Sequence, residues 1–155
     1  SPSGHQYHLR AWLSICLSST TVLDELMIRQ TGDRSKKVLL VLDDLGNDVV
    51  GDKEAKHIFH KLIANSRHLN ISIIWLVQKI TQCPTYARAN CDCFVNFASL
   101  STREREALYN EVSITDKRQF SRMFADCTQE RYSTFTATFT DGQLKYYHNL
   151  EDEIK

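Results

Sequence analysis

The chain carries no net charge: nineteen lysines and arginines balance nineteen aspartates and glutamates over 155 residues. That balance excludes a global field drawing the protein to nucleic acid or an anionic membrane, so any such contact must come from a local patch. No apolar run approaches the ~20 residues needed to span a bilayer. The start, Ser1-Pro2-Ser3-Gly4, has neither an initiator methionine nor an apolar signal core, and reads as a cut end. Two prolines and five isolated glycines leave no low-complexity linker, and no internal repeat is visible. Five cysteines (Cys16, Cys83, Cys91, Cys93 and Cys127) are an odd number without a framework's spacing. They exclude a disulfide-built fold and point to a reducing compartment.

What remains is the length and composition of one soluble domain with a single core. Cys91-x-Cys93 together with His57 and His60 could be combined into a zinc set. The spacing is tighter than the usual Cys-x2–4-Cys, and both histidines flank the apolar face of a helix. The two thiols read instead as small, mostly buried side chains bordering a strand.

Periodicity lays out alternating helices and strands. Residues 8–30 are helical in pattern, with a break and cap at Ser18 to Thr21, and Gly32 to Ser35 is a turn. Val38 to Leu42 is an unbroken apolar run, a strand to be buried on both faces, as in a parallel sheet between helices. Residues 52–67 form a helix whose Ile58, Phe59, Leu62 and Ile63 share a face. Ile71 to Val77 is a second buried strand. Two strands joined by one helix make a right-handed parallel βαβ unit. Cys93 to Phe97 is a third strand, and 101–112 is a helix opening on a Ser-Thr-Arg-Glu capping box. A helix over 115–129 follows. Strands at 132–139 and 143–147 meet in a hairpin at Asp141-Gly142, and the tail, 151–155, is frayed. The expected fold is α/β: a mostly parallel sheet flanked by helices, with a C-terminal β-hairpin.

The chemistry sits at the end of the first strand. Asp43 and Asp44 fall at its carboxyl end, where open α/β sheets place their ligands. This is a Walker B arrangement, in which one acid helps hold Mg²⁺ and its neighbour orients the attacking water. The alternative is a plain turn, because Asp44-Leu45-Gly46-Asn47-Asp48 is good turn chemistry. Gln78 ends the second strand, and neighbouring strand tips lie about 5 Å apart. It can therefore stand beside the acids and sense a γ-phosphate or its water. Arg88, ten residues on, suits a charge-stabilising finger acting in cis or on a neighbouring subunit. Arg67 is a further candidate phosphate contact, although a cation ending a helix also serves the helix dipole.

The blocks Leu39-Leu40-Val41-Leu42-Asp43-Asp44-Leu45-Gly46, Arg67-His68-Leu69-Asn70-Ile71-Ser72-Ile73-Ile74, Gln78, and Pro84 with Arg88-Ala89-Asn90 stand in one order. Together they resemble the DNA-packaging ATPases of poxviruses and other large nucleocytoplasmic DNA viruses, in the FtsK–HerA group of P-loop motors. The resemblance runs over about 37–112, with 113–150 as a helical and hairpin extension of one partial P-loop domain over 1–155. It implies an ATP- and Mg²⁺-dependent translocase, a homo-oligomeric ring that moves double-stranded DNA into a capsid. It further implies capsid or portal partners, and a place in the cytoplasmic virus factory or the virion, without membrane attachment. Asp43 would take the metal and nucleotide, Asp44 and Gln78 the water and sensor positions, Arg88 the finger.

One element of that family is missing. No Gly-x-x-x-x-Gly-Lys-Ser/Thr occurs in these residues, so the phosphate cradle, its lysine and its Mg²⁺-binding hydroxyl are absent. Either the chain is the carboxyl-terminal part of a longer ATPase, or it is an inactive, ATPase-like nucleic-acid-binding or assembly module. For the second, Arg103, Arg105, Lys117, Arg118, Arg122 and Arg131 could meet DNA phosphates. Glu104, Glu106, Glu111 and Asp116 are interleaved with them, which suits a solvated, salt-bridged surface instead. A third reading is an unrelated metal-dependent hydrolase or nuclease using Asp43 and Asp44 with Asp48 or Asp52.

Overall fold

A computed structural model of the chain describes residues 20–44, 52–98 and 101–154. The polypeptide divides into two compact units, Ser1–Gln78 and Lys79–Lys155. The pattern expected over residues 8–19, and the segment 45–51 with Asp48, lie outside the described residues.

In the first unit, α1 (Thr20–Gly32) precedes β1 (Val38–Asp43), α2 (Lys53–Asn65) and β2 (Ile71–Leu76). The strands pair in parallel with Val38 opposite Ile71 and Asp43 opposite Leu76, which is the expected βαβ unit. Asp52 starts α2 by accepting hydrogen bonds from the backbone N–H groups of Glu54 and Ala55. Helix α2 buries Ala55, Phe59 and Leu62, and the Phe59 ring stacks on Trp75 with centroids 5.6 Å apart. By the register, Trp75 shares a sheet face with Leu40 and Leu42, each 1% exposed. Helix α1 packs on α2 and buries Leu23 and Met27.

The opposite sheet face departs from the expectation of strands buried on both sides. Ile74 is 46% exposed and Leu76 49%. An uninterrupted apolar run states that both faces prefer cover, but only packing decides which face receives it. Among the described elements of this unit, the helix that does so lies on the Trp75 side.

In the second unit a short 3-10 turn (Ile80–Gln82) is followed by α3 (Thr85–Arg88), β3 (Cys93–Phe97), α4 (Thr102–Val112), α5 (Lys117–Cys127), β4 (Thr134–Thr140) and β5 (Gln143–His148). It closes on β6 (Asp152–Ile154). The sheet order is β3-β4-β5-β6, antiparallel throughout. The β4–β5 hairpin turns at Asp141 and Gly142, whose φ values of 52° and 74° are both positive, as the two-residue turn requires.

These pairings correct the expected mostly parallel sheet. Among the described residues only β1 and β2 run parallel, and β3 joins the hairpin antiparallel, with Phe94 opposite Ala137. A five-residue apolar strand carries no mark of its partner's direction. Here the chain returns through α4 and α5 and lays β4 beside it. The tail is likewise ordered: β6 pairs with β5, and Ile154 packs against the core. Its single apolar side chain has a place to go, which a composition reading does not reveal.

That core is aromatic. Phe135 is fully buried, with ring centroids 5.5 Å from each of Phe120, Phe124 and Tyr146. Tyr146 Oη donates to the Val112 carbonyl (2.7 Å) and accepts from Ile114 N (3.2 Å), tying the end of α4 to the sheet. Phe135→Ala removes three ring contacts at once and leaves a cavity in the core. We expect it to destabilise the chain by about 3–5 kcal/mol. Urea unfolding followed by circular dichroism measures this, and Phe139→Ala on the exposed end of β4 serves as the small-effect comparison.

Candidate functional site

The site is built by the ends of two parallel strands. Asp43 closes β1 as an exposed side chain opposite Leu76, and Asp44 leaves the strand in the left-handed region at φ 52°. Aspartate tolerates this backbone because its short polar side chain bonds locally. The N–H of Asp44 still donates to the Leu76 carbonyl (3.1 Å), so the turn is anchored to the neighbouring strand. Two residues past Leu76, Gln78 Nε2 donates to Asp44 Oδ2 at 3.1 Å. A residue thirty-four positions away in sequence is thus bonded to the acidic tip. Among the described residues, the amide oxygen of Gln78 and the other oxygen of Asp44 remain as acceptors.

The donor set is hard oxygen. Mg²⁺ commonly takes only one or two carboxylates, with phosphates and water filling its octahedron. Asp43 and Asp44 fit that requirement. Among the described residues no three His, Cys, Asp or Glu side chains gather as a metal-binding group.

Arg67 is not brought to this tip. It lies in the turn between α2 and β2, where its carbonyl accepts from Asn70 N (3.3 Å), at the amino end of the strand pair. Six-residue strands at about 3.3 Å per residue put the acids at the far end. As a contact to a nucleotide held at Asp43 it is misplaced.

Arg88 belongs to the second unit and is engaged there. Its Nε bonds Glu111 Oε1 at 2.7 Å, and one terminal nitrogen bonds the Cys83 carbonyl at 2.6 Å. The other makes its single long contact, 3.4 Å, with the Thr85 hydroxyl. Helix α4 grips the same segment a second time. Glu104, buried, accepts from both the N–H (3.1 Å) and the hydroxyl (2.8 Å) of Thr81. The capping box therefore forms only in part: Ser101 Oγ accepts from Glu104 N (3.3 Å), while the Glu104 carboxylate turns to Thr81.

Sequence reasoning missed Glu104 and Glu111 as fasteners of the segment after Gln78 and read them as surface charge. The signal was present. They stand four before and three after the buried Leu108, on the same face of α4. The rest of the interleaved acids behave locally: Glu106 pairs with Lys117 (2.6 Å), and Asp116 caps α5 through the N–H groups of Arg118 and Gln119.

Burial pushes the Cys83 thiol up to about 11 and raises those of Cys91 and Cys127; Cys93 is exposed rather than buried as expected, and partial desolvation with the Asp92 charge raises it too. Cys91 Sγ donates to the Cys93 carbonyl.

A parallel βαβ unit with an acid pair and a glutamine at its carboxyl tips is the frame in which α/β proteins bind ligands at strand ends. A family model described as poxvirus A32 protein matches residues 12–152, and the chain belongs to this family of poxvirus packaging ATPases. Among curated proteins none matches the chain. No described helix is long and apolar enough to cross a membrane.

Proposed function

We propose that this chain carries the Walker B and sensor part of a P-loop ATPase of the FtsK–HerA group, which couples ATP hydrolysis to movement of double-stranded DNA into the capsid. The observation supporting this reading is the Gln78–Asp44 hydrogen bond at the tip of the parallel strands. Asp43 would hold Mg²⁺ at the nucleotide phosphates, and bound Mg²⁺ would neutralise charge on them. Asp44 orients the attacking water and accepts its proton, and Gln78 holds the Asp44 carboxylate in place while offering its own oxygen to that water. The motor works as a homo-oligomeric ring, with capsid or portal proteins as partners, in the virus factory or the virion.

Gln78 provides the test. In a polypeptide joining this chain to a Walker A segment, Gln78→Ala should lower DNA-stimulated ATP turnover by ~10-fold or more with little change in nucleotide affinity. Wild-type turnover in that variant would remove the sensor role.

A second reading is a catalytically inactive ATPase-like module for nucleic-acid binding or assembly, since these residues hold no phosphate loop of their own. In either case the 155 residues on their own should bind Mg²⁺·ATP weakly. Two carboxylates and a metal give little hold on a polyanion without a lysine and a cradle of N–H donors. A micromolar dissociation constant by calorimetric titration would contradict this.

A further inference from the structure

Among the described residues, the lysines and arginines from Arg88 to Lys145 sort into two groups. Arg88 is paired with Glu111, Lys117 with Glu106 and Lys145 with Glu153, and Arg131 lies over the Tyr132 ring at 4.7 Å. Arg103 and Arg105 on α4, and Arg118 and Arg122 on α5, are exposed and make no side-chain ion pair or hydrogen bond among the described residues. Of these four, Arg122 lines a groove of about 440 Å³ formed by α5 with β5 and β6. Its apolar lining is Met123, Cys127 and Ile154, and its polar groups beside Arg122 are Gln119 and His148.

The placement of the two α5 arginines does nothing for the helix itself. Four residues apart, they stand on one face about 6 Å apart along the axis, where like charges destabilise a helix. Arg118 also lies in the first turn, where a cation opposes the helix dipole. Asp126, one turn beyond Arg122, lines the groove as well, yet no ion pair forms between them. Arg122 thus keeps its fork of donors free among the described residues, and Asp126 makes the far end of the groove unfavourable for an anion. A negatively charged ligand is directed to the Arg118 end.

We propose that the Arg118–Arg122 face of α5 and the adjoining groove bind backbone phosphates of nucleic acid. An arginine fork matches phosphate oxygens in geometry and charge. Gln119 and His148 add polar contacts beside it, and the apolar lining accommodates a sugar. The arginine outside the groove gives a second point of contact, which suits a polymer better than a single small anion. The choice of duplex DNA as that polymer rests on the function proposed above; the phosphate surface rests on the free arginines and the groove.

The test uses the 155-residue chain and a fluorescein-labelled duplex of arbitrary sequence, with anisotropy measured over about 50–200 mM salt. Each phosphate contact contributes roughly one to the slope of log affinity against log salt. Arg118→Gln with Arg122→Gln should therefore reduce the slope by about two and weaken binding at least tenfold at the lower salt. Lys145→Gln, which removes a cation already paired, should leave both unchanged. Thermal melts confirm that the exposed substitutions keep the fold. A double variant that retains the wild-type slope overturns this surface and leaves the translocase reading intact. A wild type without salt-dependent duplex binding overturns both the surface and the choice of DNA as partner. Competition by polyglutamate at lower charge concentration than duplex overturns the assignment in favour of an acidic protein segment.

Discussion

Asp44→Asn should abolish most ATP turnover while leaving nucleotide binding nearly unchanged, in a polypeptide that joins this chain to a Walker A segment. A positioned general base contributes about 10²–10⁴ in rate, and an asparagine can orient water but not take its proton. Asp44 is held by Gln78 Nε2 at 3.1 Å and by its own N–H on the Leu76 carbonyl at 3.1 Å. Asparagine keeps the left-handed backbone accessible, so the variant changes the chemistry and not the turn. Asp43→Asn should behave differently. Its exposed carboxylate ends the strand without that glutamine, and its loss should weaken Mg²⁺-dependent binding first. Equilibrium binding of a fluorescent nucleotide with and without Mg²⁺, alongside steady-state turnover, separates the two. Equal loss of affinity in both variants, with no pure turnover defect, would show that the two acids do not divide the work in this way.

Arg88→Ala should lower turnover by ~10³-fold or more with a modest effect on nucleotide affinity, if its guanidinium reaches the developing charge on the transferred phosphoryl group. The structure adds a second, measurable consequence. Nε and one terminal nitrogen are committed to Glu111 and the Cys83 carbonyl, so truncation leaves a largely buried Glu111 carboxylate without its partner. That should destabilise the chain by about 1–3 kcal/mol. The two effects are separable. Glu111→Gln releases the same ion pair while sparing the arginine, so it should reproduce the stability loss without the full loss of turnover. If the finger acts on a neighbouring subunit, mixing Arg88→Ala with Asp44→Asn subunits should restore part of the activity at mixed interfaces. Full activity of Arg88→Ala alone would exclude the role. The nitrogen with only a 3.4 Å contact to Thr85 is the one available to a phosphate.

Much of the local structure was legible because its causes lie within a few residues. The run Val38 to Leu42 ending in two acids is a strand with a polar tip whatever surrounds it. Asp-Gly between alternating stretches is a hairpin because both turn residues must take positive φ, and Asp141 and Gly142 do so. Asp52 caps α2 and Ser101 caps α4 through bonds to N–H groups two or three residues on. Even the placing of Gln78 beside Asp44 followed from one longer-range rule, that a strand–helix–strand unit returns parallel and brings its strand tips together.

Other features depended on partners that no local pattern names. The direction of β3 was set by β4, which arrives after two helices, and β6 exists because Ile154 finds room against the core. The exposure of Ile74 and Leu76 reflects which sheet face α2 covers. Arg88 and Glu111 are twenty-three residues apart and on different elements, so one reads as a finger and the other as surface charge until the fold brings them to 2.7 Å. The same holds for Arg118 and Arg122, whose lack of a side-chain ion pair among the described residues shows only in the fold. Backbone propensity and capping act over one or two turns of chain and so are written in the sequence. Burial, strand partnership and charge pairing act across space, and here only the tertiary structure decided them.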